Sequence, residues 1–259
     1  MTIKVVILAG GLGSRLSEET QSKPKPMVEI GGKPILWHIM KIYSHYNFKD
    51  FIICCGHKSS IIKEYFANYS INNSDVTFDL KHNSFKTEKK PTEDWKVTLV
   101  ETGNDSNTGG RLKLINKYLK KNEDFFLTYG DGLGNVNIKK LLDFHKKHSK
   151  PYTMTAVKIP GRFGSVNFNK NKVIDEFKEK PLGDGGWING GFFVMNQSII
   201  KHIKHSKLSL EKDIIPKIVL KKQISAFTHN GFWHAMDTLR DKVLLEEKWS
   251  TKKAPWKVW

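Results

Sequence analysis

Cysteine is almost missing from this chain. Its 259 residues hold two, Cys54 and Cys55, adjacent inside an apolar run. That leaves no disulfide framework and no zinc-ligand spacing, and it fits a reduced, cytoplasmic setting. No stretch approaches the roughly 20 consecutive apolar residues of a membrane span, so no membrane partner is expected. The first residues lack the basic, apolar and small-residue series of a secretory leader. No Pro/Gly/Ser-rich linker interrupts the sequence, so residues 1–259 read as a single α/β domain. Acidic residues are also scarce, 26 against 43 basic ones, for a formal net charge of +17. A surplus of that size raises nucleic-acid binding as a rival. The lysines are spread along the chain, however, with only short clusters at Lys146-Lys147, Lys221-Lys222 and Lys252-Lys253. No RNA or DNA motif accompanies them. They read as a solvated face that also draws in anionic substrates, with no nucleic-acid partner.

The informative stretch is the beginning. Val5-Val6-Ile7-Leu8 is an unbroken apolar run, the pattern of a strand buried on both faces in a parallel sheet. It ends in Gly10, Gly11 and Gly13, where glycine admits positive φ and close approach of a ligand to backbone N–H groups. Ser14 and Arg15 follow, then Lys25 between Pro24 and Pro26, whose fixed φ excludes helix there. A strand, an open glycine loop and two stiffly placed cations form a polyphosphate cradle. No Gly-Lys-Ser/Thr closes a Walker A loop. Leu16 occupies the third-glycine position of a dinucleotide fingerprint.

Downstream, helices are expected over 34–46, 58–69, 111–120, 138–147, 210–220 and 238–249. Strands are expected over 51–55, 97–101, 125–129 and 153–158, then over 165–168, 173–177, 191–195, 224–227 and 231–236. Residues 70–95 read as a polar excursion with one short strand, 76–80, and 169–172 as a turn. The alternation predicts a parallel sheet with right-handed crossovers. Thr108-Gly109-Gly110 before a helix suits an anion or a planar ring laid on backbone, with Arg111 a reader of base or phosphates. An ordinary capped helix remains the alternative. Asp131, between two glycines past the end of a strand, is either a turn residue or a ligand at the strand's carboxyl end. Asp237 has a structural alternative as N-cap of the last helix. Trp256 and Trp259 are expected to dock on the chain's own core or on a neighbouring subunit.

In order and spacing, Gly10-Gly11-Leu12-Gly13-Ser14-Arg15-Leu16, Pro24-Lys25-Pro26-Met27, Gly31-Gly32-Lys33-Pro34, Thr108-Gly109-Gly110-Arg111, Tyr129-Gly130-Asp131-Gly132, Pro160-Gly161-Arg162-Phe163-Gly164, Glu179-Lys180-Pro181, Asn189-Gly190-Gly191 and Met236-Asp237-Thr238 resemble the sugar-phosphate nucleotidyltransferases. The likeness is strongest to the branch that uses CTP and glucose 1-phosphate. It implies a Rossmann-like, mixed and mostly parallel central sheet with flanking helices and a small β-rich sugar-binding part. Residues 1–160 would form mainly the nucleotide half, 161–237 the sugar-phosphate half, and 238–259 a closing helix and tail. The nucleotide would meet Leu8, Gly10, Gly11, Gly13, Ser14, Arg15, Lys25, Thr108, Gly109, Gly110, Arg111 and Asp131. The sugar phosphate would meet Gly164, Glu179, Lys180, Asn189 and Gly190. Arg15, Lys25 and Lys180 would be catalytic, Asp131 and Asp237 would hold Mg²⁺, and the assembly would be a homo-oligomer, a hexamer by family likeness. Ser14 stands where the family usually shows Thr and keeps the hydroxyl. Leu208-Ser209-Leu210-Glu211 lacks the tryptophan expected before the glutamate, which leaves the packing there open.

The chemistry so implied needs no general base. A phosphate monoester has its second pKa near 6 and attacks as a dianion, so none of the ten histidines is required. What must be overcome is repulsion between anions, by positioning and positive charge. Two alternatives stay open: the same reaction with UTP, dTTP or another phosphate acceptor, and a non-catalytic nucleotide-sugar sensor. The sensor should lack Lys25 or one of the two aspartates, and all three are present.

Overall fold

Val5–Leu8 is apolar at every position because both of its faces are covered. In the computed structural model, which describes residues 3–88, 93–158, 165–168, 172, 174–178 and 186–259, this strand lies near the middle of a seven-stranded sheet. The spatial order is Ile224–His229, Tyr152–Val157, Ile188–Asn196, Asp124–Tyr129, Val5–Leu8, Asp50–Cys55, Lys96–Glu101. Val5–Leu8 pairs in parallel with Asp50–Cys55 and with Asp124–Tyr129, Leu8 opposite Cys54 on one side and Tyr129 on the other. Ile188–Asn196 runs antiparallel to both of its neighbours. The sheet is thus mixed and mostly parallel, and a strand expected in the sugar half sits inside it.

Period-two alternation splits the apolar side chains into two cores. Val5, Ile7, Phe51, Ile53 and Phe126 face the Ile35–His45 helix, while Val6, Leu8, Ile52, Phe125 and Leu127 face the Leu210–Leu220 segment. Each such side chain, fully buried, contributes roughly 1.5–3 kcal/mol. The first core is closed by the C-terminal segment. Trp256 is fully buried, stacks on Trp249 and Phe232, and donates its indole N–H to His38 Nδ1. Gly31 has positive φ, and a Cβ there would strike the Trp249 indole. The tail therefore docks on its own core.

Several elements differ from expectation. The third helix begins at Thr108 rather than 111 and gives way to a 3₁₀ turn, Asn116–Tyr118. Residues 210–220 divide into a π-turn, Leu210–Ile214, and an α-helix, Ile215–Leu220, entered through Pro216. After a short helix, Tyr69–Asn72, the 70–95 excursion carries a hairpin, Asp75–Asp79 with Ser84–Glu88. Its second strand escaped notice because an almost fully exposed ribbon needs few apolar residues. Around Lys25 the prolines permit a 3₁₀ turn, Lys25–Met27, because the second proline falls in the first turn, where no backbone donor is needed. Asp237 does not cap the last helix. Thr238 does, in a capping box with Asp241. The expected turn at 169–172 lies outside the described residues except for Lys172.

Candidate active site

Strand order reverses beside Val5–Leu8: two parallel strands continue on one side, and Asp124–Tyr129 lies on the other. Loops at the carboxyl ends of strands flanking such a reversal diverge and open a crevice. The loop after Leu8 carries Gly10, Gly11, Gly13, Ser14 and Arg15, and the loop after Tyr129 carries Gly130 and Asp131. Together with Leu8, Lys25, Ser106, Asn107, Thr108 and Arg111 they line a cleft of about 340 Å³. An adjoining pocket of about 170 Å³ shares Arg15, Tyr129 and Asp131 and adds Asn189, Gly190, Gly191, Trp233 and Asp237.

A small sheet brings the two aspartates together. Gly132–Gly134 pairs antiparallel with Trp233–Ala235, Ala235 opposite Gly132, and Met236 N–H donates to Asp131 C=O at 2.9 Å. Asp131 and Asp237 therefore leave the ends of one short ribbon on the same side. Asp241 fixes the second of them, accepting the Asp237 and Thr238 backbone N–H groups at 3.1 and 2.8 Å. With Thr238 as the N-cap, the Asp237 carboxylate is free for the cleft. Trp233–Ala235 falls within the strand expected over 231–236, whereas its partner Gly-Leu-Gly has no strand signature.

Lys25 Nζ lies 2.7 Å from Asp131 Oδ2 and 2.6 Å from Asp237 Oδ1, and Arg15 Nη1 lies 2.9 Å from Asp237 Oδ2. The lysine is 10% exposed and the arginine 72%, so one cation is seated at the base and the other stands at the mouth. Burial alone would lower the Lys25 pKa. The two carboxylates outweigh it and hold the ammonium above its ordinary value. Two carboxylate oxygens converging on one cation are a donor set a divalent ion could use, with the ammonium as its stand-in. Among the described residues no group of three or more His, Cys, Asp and Glu gathers. The remaining positions of such an ion would fall to water and ligand oxygens, the habit of Mg²⁺.

Arg111, the expected reader of base or phosphates, lines the cleft. Its guanidinium is buried beneath the glycine loop and donates to Thr102 Oγ1, Gly103 C=O, Cys55 C=O and Gly10 C=O, at 2.5, 2.9, 3.3 and 2.8 Å. A Cβ on Gly10 would overlap it. Gly109 and Gly110 differ from expectation. They do not line the cleft, and a Cβ on either would collide with the Ser206 or Leu208 backbone. Of the three glycines after the first strand only Gly13 has positive φ, +68°. Gly164, Glu179 and Lys180 lie outside the described residues.

Sequence reading missed a second network. The Tyr129 hydroxyl donates to Glu211 Oε1 at 2.7 Å and accepts from Asn189 Nδ2 at 3.1 Å, and Thr108 Oγ1 donates to Glu211 Oε2 at 2.6 Å. Burial and then the Glu211 charge push the Tyr129 pKa far up, so the phenol stays protonated. Trp233 Nε1–H donates to Gly190 C=O at 2.6 Å. The signal for Tyr129 was its place at the end of a central strand, and for Glu211 the interrupted Leu-Ser-Leu-Glu segment.

Residues 4–247 match the family described as Nucleotidyl transferase. Over 99% of its length the chain is 56% identical to the whole of a glucose-1-phosphate cytidylyltransferase of Salmonella typhimurium. Over the same share it is 38% identical to the whole of a probable glucose-1-phosphate cytidylyltransferase of Bacillus subtilis. Among solved structures, HddC from Yersinia pseudotuberculosis complexed with GMP-PN superposes with a TM-score of 0.68 at 25% identity, over 96% of this chain and all of that one.

Proposed function

The chain belongs to the nucleotidyl transferase family, and from that premise we propose that it makes CDP-glucose and pyrophosphate from CTP and α-D-glucose 1-phosphate. The observation that carries this reading is the convergence of Lys25, Asp131, Asp237 and Arg15 beside the glycine loop at the strand-order reversal. The relatives named for this reaction support the choice of base and sugar.

An oxygen of the sugar phosphate attacks the α-phosphorus of CTP in line, one P–O bond forms, and the bond to the β-phosphate bridging oxygen breaks to release pyrophosphate. The attacking monoester is already ionised, so the protein supplies charge and placement rather than a base. Gly10, Gly11, Gly13 and Ser14 present backbone and hydroxyl donors to the triphosphate. Arg15, at the mouth, meets the departing β,γ-phosphates. Lys25 neutralises charge growing on the α-phosphate, where a preorganised cation is worth most. Asp131 and Asp237 would hold Mg²⁺, which when bound draws charge from phosphate oxygens. Asn189 and Gly190 line the adjoining pocket and, with Gly164, Glu179 and Lys180, would receive the sugar phosphate, Lys180 aligning it opposite the leaving group. In this division residues 1–160 serve mainly the nucleotide, 161–237 mainly the sugar phosphate, and 238–259 close the fold. The working assembly is a homo-oligomer, as the family likeness implies.

The test measures pyrophosphate release with glucose 1-phosphate and Mg²⁺, offering CTP, UTP, dTTP, ATP and GTP in turn. CTP alone should support turnover at low substrate. Preference for another base would overturn the assignment of substrate, and no release with any of the five would overturn the reaction itself.

A further inference from the structure

The two pockets are joined by one carboxylate. Glu211 sits in the Leu210–Ile214 π-turn, a local distortion frequent at functional sites. Its Oε2 accepts from Thr108 Oγ1 at 2.6 Å and Ser209 Oγ at 2.7 Å, and its Oε1 accepts from the Tyr129 hydroxyl at 2.7 Å. Thr108 lines the larger cleft and Asn189 the smaller, while Tyr129 lines both. Because an ionised carboxylate only accepts, it fixes the direction of every bond that follows. Tyr129 spends its proton on Glu211 and keeps a lone pair for Asn189 Nδ2, at 3.1 Å. Asn189 Oδ1 is thereby turned to accept the Gly191 N–H at 2.8 Å.

We propose that Glu211 is a positioning residue that sets the orientation of the Asn189 amide through Tyr129, and so determines how strongly the glucosyl group is held while the nucleotide pocket is filled. Glu211 is not among the residues lining either pocket. It acts on the sugar pocket by polarity and on the nucleotide pocket through Thr108, whose Oγ1 also accepts the Leu210 N–H at 2.8 Å. A glutamine here cannot reproduce the pattern. Its NH₂ toward the Thr108–Ser209 pair would strand two hydroxyl donors and toward Tyr129 only one, so the amide turns its NH₂ to Tyr129. With the NH₂ toward Tyr129, the phenol proton swings to Asn189. The Asn189 amide then turns over and opposes its own NH₂ to the Gly191 N–H.

The proposal rests on the CDP-glucose reading, and its test separates the two. Equilibrium dissociation constants for CDP and for CDP-glucose are measured on the whole protein by calorimetry. Their ratio reports what the glucosyl group adds. In Glu211→Gln this ratio should fall by about fivefold, the size expected for one lost net hydrogen bond, with CDP affinity moving less than twofold. Tyr129→Phe removes only the middle link and should lower the ratio similarly. The double variant should be no worse than either single one, because both act on one path. A ratio unchanged in either variant, or falling multiplicatively in the double, overturns the relay. A merely structural Glu211 would weaken both ligands alike and leave the ratio where it was, the same overturning result. If the unsubstituted protein holds CDP and CDP-glucose equally, the substrate assignment fails first and the relay with it. Should Glu211→Gln not fold, Tyr129→Phe decides alone.

Discussion

Two buried cations flank the first glycine loop, and the fold treats them in opposite ways. Lys25 has two carboxylates, Asp131 and Asp237, each within 2.7 Å. Arg111, on the far side of the loop, is hydrogen-bonded to none among the described residues. Its four acceptors are three carbonyls and a threonine hydroxyl. Dipoles cannot exchange partners without unfolding the backbone that carries them, so Arg111 is a fixed brace. Carboxylates on a ribbon edge facing a cleft can trade an ammonium for another cation, or release it to a phosphate. His38 is a third solution. Buried with no carboxylate partner among the described residues, it discards its proton: Nε2–H donates to Ile30 C=O, Nδ1 accepts from Trp256, and burial lowers its pKa to about 4. Lys25 and Arg111 thus differ in what they are built to do, although the sequence presents both as basic residues near glycines.

The contrast breaks most sharply at Arg111. Arg111→Ala leaves four acceptors without their donor, and chemical denaturation should show a stability loss of about 4 kcal/mol. A loss under about 1 kcal/mol would mean the brace is not one. His38 comes next. The unfolded chain takes up its proton near pH 6.5 and the folded one not until about 4. Stability should therefore drop as pH falls across that window, by about 3 kcal/mol in all. Urea midpoints measured between pH 7 and 4 should track it, and His38→Gln should flatten the curve. Lys25→Ala and Asp131→Asn should each reduce turnover by at least about 100-fold, the scale of losing a positioned electrostatic group. Circular dichroism should show these variants still folded. A loss below about tenfold removes that residue from the machinery. The smallest effect is a flat line. Because its pKa is raised, Lys25 keeps its charge and its ion-pair stabilisation below the unfolded value of 10.5 and yields them only above its still higher folded one. kcat/KM should then stay within about twofold between pH 7.5 and 9.5. A basic limb there that vanished in Lys25→Arg would contradict the geometry.

The sheet was readable because its strands are continuous apolar runs, Phe51-Ile52-Ile53-Cys54-Cys55 and Phe125-Phe126-Leu127 among them, closed by glycine or polar turns. Arg15, Lys25, Asp131 and Asp237 were readable because each stands next to a conformational marker: glycine, proline or a strand end. Gly109-Gly110 misled for the same reason. Glycines that admit a ligand and glycines that admit another piece of chain look identical until the 206–208 segment is seen against them. One-dimensional spacing did not show that the Arg111 guanidinium braces the glycine loop from beneath as well as lining the cleft. The Glu211 network was hidden by distance. Residues 108, 129, 189 and 211 meet only once three separate segments have packed. The Gly132–Gly134 ribbon was hidden by composition, since nothing in Gly-Leu-Gly favours a strand.

The central position of Val5–Leu8 carries a cost in time. The strand acquires its second hydrogen-bonded edge from residues 124–129, more than a hundred positions further along, so a wholly apolar ribbon must wait, half covered, while that separation is bridged. Such long-range parallel pairing is slow to form and leaves sticky edges open meanwhile. Refolding yield should accordingly fall with protein concentration, and a chaperone that shields extended apolar segments should restore it.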